Sequence, residues 1–261
     1  YSQFEDNRLA LQLFGFMQQE AVMPDKVTFV SIIAACGAEM DLQLGNQIHA
    51  IFIQNVKLQR DVFLWNALVS MYGRCGDPEE AHKVFDRIPE KNDVSWNALM
   101  AAYAQNGNSK ESLYIFHQME TQITNLGKAT FSVLLSACSH GGLVSEAFSY
   151  FQYIVQAHGM DPVAEHYNCL LDLLARAGLL VQAGILLESM PCTPNIVSLA
   201  TMLGACRFLN DVERGEYITM HMFHMNPCNA VPFVILSNIY ASAESHVGGV
   251  PEMLTYIEGI T

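Results

Sequence analysis

The stretch Val62 to Asn92, VFLWNALVSMYGRCGDPEEAHKVFDRIPEKN, has a counterpart farther along the chain. Asn66, Gly76, Ala81 and Pro89 are answered 102 residues later by Asn168, Gly178, Ala183 and Pro191, and Phe85 by the apolar Leu187. So long a spacing divides into three units of about 34 residues, a period typical of stacked helical hairpins. The local grammar agrees: Gly76 can end a first helix, Asp77 can cap a second, and Pro78 suits its first turn. Glu79 and Glu80 then fall at the positive end of the helix dipole. Such a hairpin buries its apolar face only against its neighbours, so the sequence predicts an all-α chain, an α-solenoid of stacked helix-turn-helix repeats.

The other units take their register from this one. Residues 1–25 read as a partial repeat, followed by units at 26–61, 62–92, 93–127, 128–163 and 164–195, and by two less strict units at 196–229 and 230–261. Trp96-Asn97-Ala98-Leu99 matches Trp65-Asn66-Ala67-Leu68, and Thr130-Phe131 answers Thr28-Phe29 at the same spacing of 102. In the 26–61 unit a break between helices is expected at Cys36-Gly37. In the next-but-one unit the turn is expected at Asn106-Gly107-Asn108-Ser109, and its closing segment, Thr121 to Gly127, reads as irregular. Gly248, Gly249 and Pro251 stand where the last helix would run, which predicts a loose end there. Trp65, Trp96 and Tyr167 are expected in the core between units rather than as stacking platforms.

Bulk properties narrow the function. No apolar run reaches the roughly 18 residues needed to cross a bilayer, so no membrane partner is expected, and Tyr1 falls inside a helical pattern as in a fragment. The seven cysteines follow the repeats rather than a disulfide framework: Cys36 and Cys138 are again 102 apart, each after an alanine, which predicts reduced thiols serving as small apolar residues. A net charge of −13, with Arg and Lys thinly spread, implies that any nucleic-acid affinity rests on a few well-placed side chains rather than on a basic groove.

The residues also carry a family resemblance. TFVSIIAAC and Gln47 to Ala50 resemble the long repeat type, the Val62 to Asn92 stretch the short type and DVSWNALMAAYAQNG the standard type. EHYNCLLDLLARAG resembles the short unit that precedes a C-terminal extension. LGAC, Asp211 to Glu216 and VILSNIYA resemble the E motifs of organellar RNA editing factors. The chain as a whole thus resembles a plant PLS-class pentatricopeptide repeat protein: long 26–61, short 62–92, standard 93–127, long 128–163, short 164–195, an E1-like motif at 196–229 and a truncated E2-like motif at 230–261.

The resemblance implies a right-handed superhelix that binds single-stranded RNA sequence-specifically, about one base per repeat. In such proteins the fifth residue of the first helix and the last residue of the unit read the base edge, while the second covers the base face. Carried onto this chain, the reading residues are Asn66 with Asn92 and Asn168 with Asn195, pairs that resemble pyrimidine-preferring combinations, and Asn97, whose partner position is Gly127. The long units supply Val30 with Asp61 and Ser132 with Val163, and long units read poorly. Base-packing positions are Val27, Phe63, Val94 and Ala129, with Glu165 departing from the apolar pattern. An amide suits the first role because it donates and accepts at once. The same asparagines equally suit turns and backbone hydrogen bonds.

No catalytic site is expected. Neither His-x-Glu nor Cys-x-x-Cys, the zinc signature of cytidine deaminases, occurs in the sequence. His221 and His224 lie a turn apart without a third ligand, and Ser139-His140-Gly141-Gly142 falls at an interhelix turn. The expectation is a non-enzyme without metal or cofactor, an RNA-binding module of mitochondrion or chloroplast. By resemblance it would engage accessory editing proteins, and a deaminase-bearing protein through its E-like region. The alternative is a helical-repeat protein-interaction scaffold with weak or no RNA binding.

Overall fold

The structure, a computed structural model, describes residues 2–20, 22–123, 126–226 and 229–244. Among these it is entirely helical. The helices are α1 (Ser2–Gln19), α2 (Lys26–Glu39), α3 (Leu42–Gln54), α4 (Val62–Arg74), α5 (Pro78–Asp86), α6 (Asp93–Gln105), α7 (Ser109–Gln122), α8 (Lys128–Gly141), α9 (Val144–Gln156), α10 (Ala164–Arg176), α11 (Leu180–Ser189), α12 (Ile196–Leu209), α13 (Val212–Met225) and α14 (Val231–Glu244), with a short 3-10 turn at Leu58–Arg60. None is long and apolar enough to cross a membrane. They form two compact bodies, one ending at Met160 and one beginning at Asp161.

In each body the first helices of successive hairpins pack on one another: α2 on α4, α4 on α6 and α6 on α8 in the first, α10 on α12 and α12 on α14 in the second. The second helices pack behind them. Side-chain caps fix where the helices begin. Asp25, Asp41, Asp61, Asp77 and Asp211 each accept a backbone N–H from the first turn of the helix that follows. Part of the chain's negative charge therefore sits on helix N-termini, where the dipole offsets it.

Rings join one hairpin to the next in the first body. Phe52 meets Trp65 edge-to-face at 4.9 Å, Phe85 meets Trp96 at 4.8 Å, and Phe116 meets Phe131 at 6.1 Å. Each such pair contributes about 0.5–1.5 kcal/mol beyond area burial. Trp65 and Trp96 are buried, as core residues between units should be, while Tyr167 is only half-buried. Polar links run in parallel: His49 Nδ1 and Tyr72 Oη are 2.9 Å apart, as are His82 Nδ1 and Tyr103 Oη. At the crossing of α4 and α6 the backbones come so close that a Cβ on Gly73 would lie 2.5 Å from the Cβ of Ala102.

Two local expectations are corrected. Cys36-Gly37 is not a break; both are buried in α2, which continues to Glu39 and ends at Met40 in the left-handed region (φ 54°). Gly37 serves packing instead, since a Cβ there would meet the backbone of Met71 at 3.4 Å. Nor is Thr121 to Gly127 irregular from its start, because α7 extends through Gln122. The turn at Asn106 to Ser109 lies between α6 and α7 as expected, with Gly107 at φ 79°. Gly248, Gly249 and Pro251 lie outside the described residues.

Cys36, Cys138 and Cys206 are buried, and burial pushes the thiols of Cys36 and Cys206 up to about 12. At neutral pH they are uncharged, which suits small apolar residues.

Candidate nucleic-acid interface

Because α4 and α6 lie side by side, the start of one falls beside the start of the other. Asn66, the fifth residue of α4, donates through Nδ2 to Oδ1 of Asn92 at 3.4 Å; toward the other end of α4, Asn106 Nδ2 donates to the Gly73 carbonyl at 2.7 Å. The helices are thus parallel and in register. The second body repeats the first of these contacts in another form: Oδ1 of Asn168 accepts the backbone N–H of Asn195 at 3.0 Å. The structure therefore brings together both pairs taken from the sequence.

Asn92 and Asn195 have a structural duty as well. Each is the N-cap of the next first helix: Asn92 Oδ1 accepts from the Ser95 backbone at 3.0 Å, and Asn195 Oδ1 from the Ser198 backbone at 2.7 Å. With the acceptor so engaged, the amide that each exposed side chain turns outward is a donor. Asn66 is buried, 6 % exposed, and its Oδ1 has no partner. Asn97, one unit on, also leaves a buried Oδ1 unpaired, while its partner position Gly127 starts α8 with no side-chain cap. A buried acceptor without a donor costs about 1–3 kcal/mol; at the same register position of α10, Asn168 Oδ1 is satisfied by the Asn195 backbone N–H.

The second position of these helices is on the surface throughout. Val27 is 71 % exposed, Phe63 57 % and Val94 52 %, and Ala129 is exposed too. Each lies three residues before the fifth position and hence on the same helix face. Half or more of the surface of Val27, Phe63 and Val94 is open to solvent. Glu165 is exposed at the equivalent place. Of the long-unit residues, Val30, Asp61, Ser132 and Val163 are all half-buried, and Ser132 donates its hydroxyl back to the Lys128 carbonyl at 3.2 Å.

Lys26 and Val197 escape the sequence reading. Lys26 Nζ lies 2.5 Å from the Asp61 carboxylate and 5.9 Å from the centre of the Phe63 ring, so a cation sits beside the exposed aromatic. A lysine opening a helix opposes its dipole, and Lys128 repeats the feature, a signal available in the sequence. Val197, second in α12 and 67 % exposed, continues the apolar row past residue 195. Among the described residues no cluster of His, Cys, Asp and Glu could hold a metal. His224 accounts for one ring nitrogen with the Met220 carbonyl at 2.7 Å. Amides and apolar tips on adjacent turns, with few charges, make a surface suited to holding flat rings with polar edges.

Comparison with known proteins agrees with the repeat pattern. A family described as "PPR repeat" matches residues 63–93, 129–157 and 165–192, the "PPR repeat family" matches 91–140, and the "Pentatricopeptide repeat domain" matches 1–39, together more than half of the chain. One mitochondrial pentatricopeptide repeat-containing protein of Arabidopsis thaliana is 37 % identical over 244 residues, 94 % of this chain and 38 % of that protein. A second is 37 % identical over 233 residues, covering 89 % and 50 %. The chain thus spans half or less of the length of these relatives. The crystal structure of maize PPR10 superposes with a TM-score of 0.60 at 21 % identity, over 96 % of this chain and 38 % of that one. PPR10 in complex with an 18-nt psaJ RNA element gives a TM-score of 0.47 at 18 % identity, over 96 % and 49 %.

Proposed function

The chain belongs to the pentatricopeptide repeat family, and on that premise we propose that it binds single-stranded RNA sequence-specifically at a pyrimidine-containing site. The supporting observation is the convergence of Asn66 with Asn92 and of Asn168 with Asn195, with the exposed Phe63 one turn before Asn66 and the exposed Val197 two residues after Asn195. In this reading a base edge meets the exposed amides of Asn92 and Asn195, and Asn66, Asn97 and Asn168 complete the set of reading residues. Phe63, Val94, Val27 and Ala129 cover base faces. The chemistry is recognition rather than catalysis and uses no cofactor.

The finer role is site recognition for organellar C-to-U editing, with PLS-type units and E-like segments at 196–229 and 230–261. A deaminase-bearing protein then acts in trans. Accessory editing proteins are further partners. The location is organellar, mitochondrion or chloroplast; the relatives named as mitochondrial support the organellar part of this reading.

A gel-shift titration on a randomised single-stranded RNA pool at two salt concentrations tests the base-reading role. We expect one enriched pyrimidine-containing site, roughly tenfold weaker binding for Asn66→Ala and for Asn168→Ala, and a shallow salt dependence because few cations contact phosphate. An enriched site indifferent to both substitutions ends the assignment.

A further inference from the structure

In α4, α6, α8 and α10 the thirteenth residue is polar: Arg74, Gln105, His140 and Arg176. In α12 it is Phe208, which is 87 % exposed. This ring stands between two clefts of the second body. One, of about 420 Å³ between α10 and α12, is walled by Ala175, Ala177, Ala205 and Leu209 together with Arg176 and Thr201; the other, of about 410 Å³ between α12 and α14, is bounded by Gly204, Arg207 and Ser242. Leu209 beside it is also exposed.

The charges around the ring are unbalanced. Arg176 is held by Asp172 at 3.0 Å, and the nearby Asp211 is engaged by Arg214 at 2.5 Å. Arg207, exposed and adjacent to Phe208, makes no ion pair among the described residues. The Arg207 guanidinium, at the lining of one cleft and beside the apolar ring, is locally complementary to a carboxylate on a partner.

We propose that Phe208, its two clefts and Arg207 form a docking surface for an acidic amphipathic helix of a partner protein. Neighbouring packed helices lie about 8–10 Å apart, and residues i and i+7 of a helix about 10.5 Å, so one helix can straddle the ring with an apolar side chain in each cleft. The larger cleft is mostly aliphatic and has no asparagine or glutamine in its lining, unlike the row of paired asparagines. The base-facing row lies at the opposite end of α12, Val197 being roughly 16 Å away along the helix. The surface deepens the recruiting role proposed above and rests on it for the partner's identity.

The test is a phage-displayed library of helical peptides, selected on the full chain, with the enriched peptide then titrated by fluorescence. Expected are Asp and Glu flanking large apolar residues at i and i+7, and a loss of about tenfold or more in Phe208→Ala, as for a central interface anchor. Arg207→Glu should cost severalfold at low salt and little at high salt. Failure to enrich, neutral or basic winners, or equal affinity for Phe208→Ala overturns the proposal. So does displacement of the peptide by single-stranded RNA, which would make this an RNA surface. An organellar deaminase-bearing protein that binds wild type and Phe208→Ala equally leaves recruitment standing and removes it from this surface; one that binds neither, while the peptide binds normally, removes recruitment and leaves the surface.

Discussion

Residues 26–92 and the copy that begins 102 residues on follow one helical plan but differ where the plan meets solvent, packing and charge. The left-handed position after the first helix is Met40 in the earlier block and Gly142 in the later one. The closest approach of α4 uses Gly73, whose counterpart is Ala175. The buried pair His49 and Tyr72 corresponds to Phe151 and Leu174, and the exposed Phe63 to Glu165. The earlier block carries a left-handed methionine and keeps an apolar tip on its surface. The later one has glycine at the left-handed position, a carboxylate in place of the tip, and its own buried polar side chains in Thr130, Ser139 and His166. Stability and recognition are therefore distributed unequally between copies of one design.

The sharpest way to break that contrast is at the crossing. Gly73→Ala should destabilise the protein by about 1–3 kcal/mol in urea denaturation because Ala102 leaves no room, whereas Ala175→Gly should cost only about 0.5–1 kcal/mol of helix propensity. Equal effects would show that the two crossings are alike. Next, Met40→Gly should raise stability by about 1 kcal/mol, since the side chain is 70 % exposed and the left-handed backbone penalises it. A neutral or negative shift would mean that the methionine packs usefully.

A third effect appears only in acid. Burial, followed by the Arg87 charge, lowers the pKa of His49 below its usual 6.5, with Glu80 opposing, so the folded state disfavours the protonated ring. Stability contributed by the neutral His49–Tyr72 pair is present above pH 6.5 and declines as pH falls below it toward the depressed folded value. His49→Gln, which does not titrate, should flatten that part of the stability–pH curve; an unchanged slope would assign the loss to other groups. The smallest expected effect is on binding: Glu165→Val should tighten RNA binding about threefold at low salt by removing a negative charge from a base-facing position. Weaker binding would show that this position does not face RNA.

The helices were legible in the sequence because their punctuation is chemical. Asp77, Pro78 and Gly76 act in the structure as their residue types dictate, as does Asn92 at the unit's end. Cys36-Gly37 misleads because a glycine can serve a helix crossing as well as a turn, and the crossing partner, Met71, is more than thirty residues away. Met40 offers no turn signal at all, since its left-handed geometry is imposed by the hairpin that it closes. At the candidate interface, register alone placed the paired asparagines together. The unpaired oxygens of Asn66 and Asn97 depend on how deeply each first turn is buried, and the Lys26 contact with Asp61 and Phe63 on how two helix starts abut. Neither is a property of local spacing.

One junction has a further consequence for how such chains change over generations. The residue that closes a unit belongs to the upstream module, yet its cap bond is accepted from a backbone N–H downstream, Ser95 for Asn92 and Ser198 for Asn195. Every helix start presents such an N–H whatever its side chains. A gene segment recombined at such a boundary therefore carries its cap with it and meets an N–H to bind, while the packing across the crossing, such as Gly73 on Ala102, still has to match.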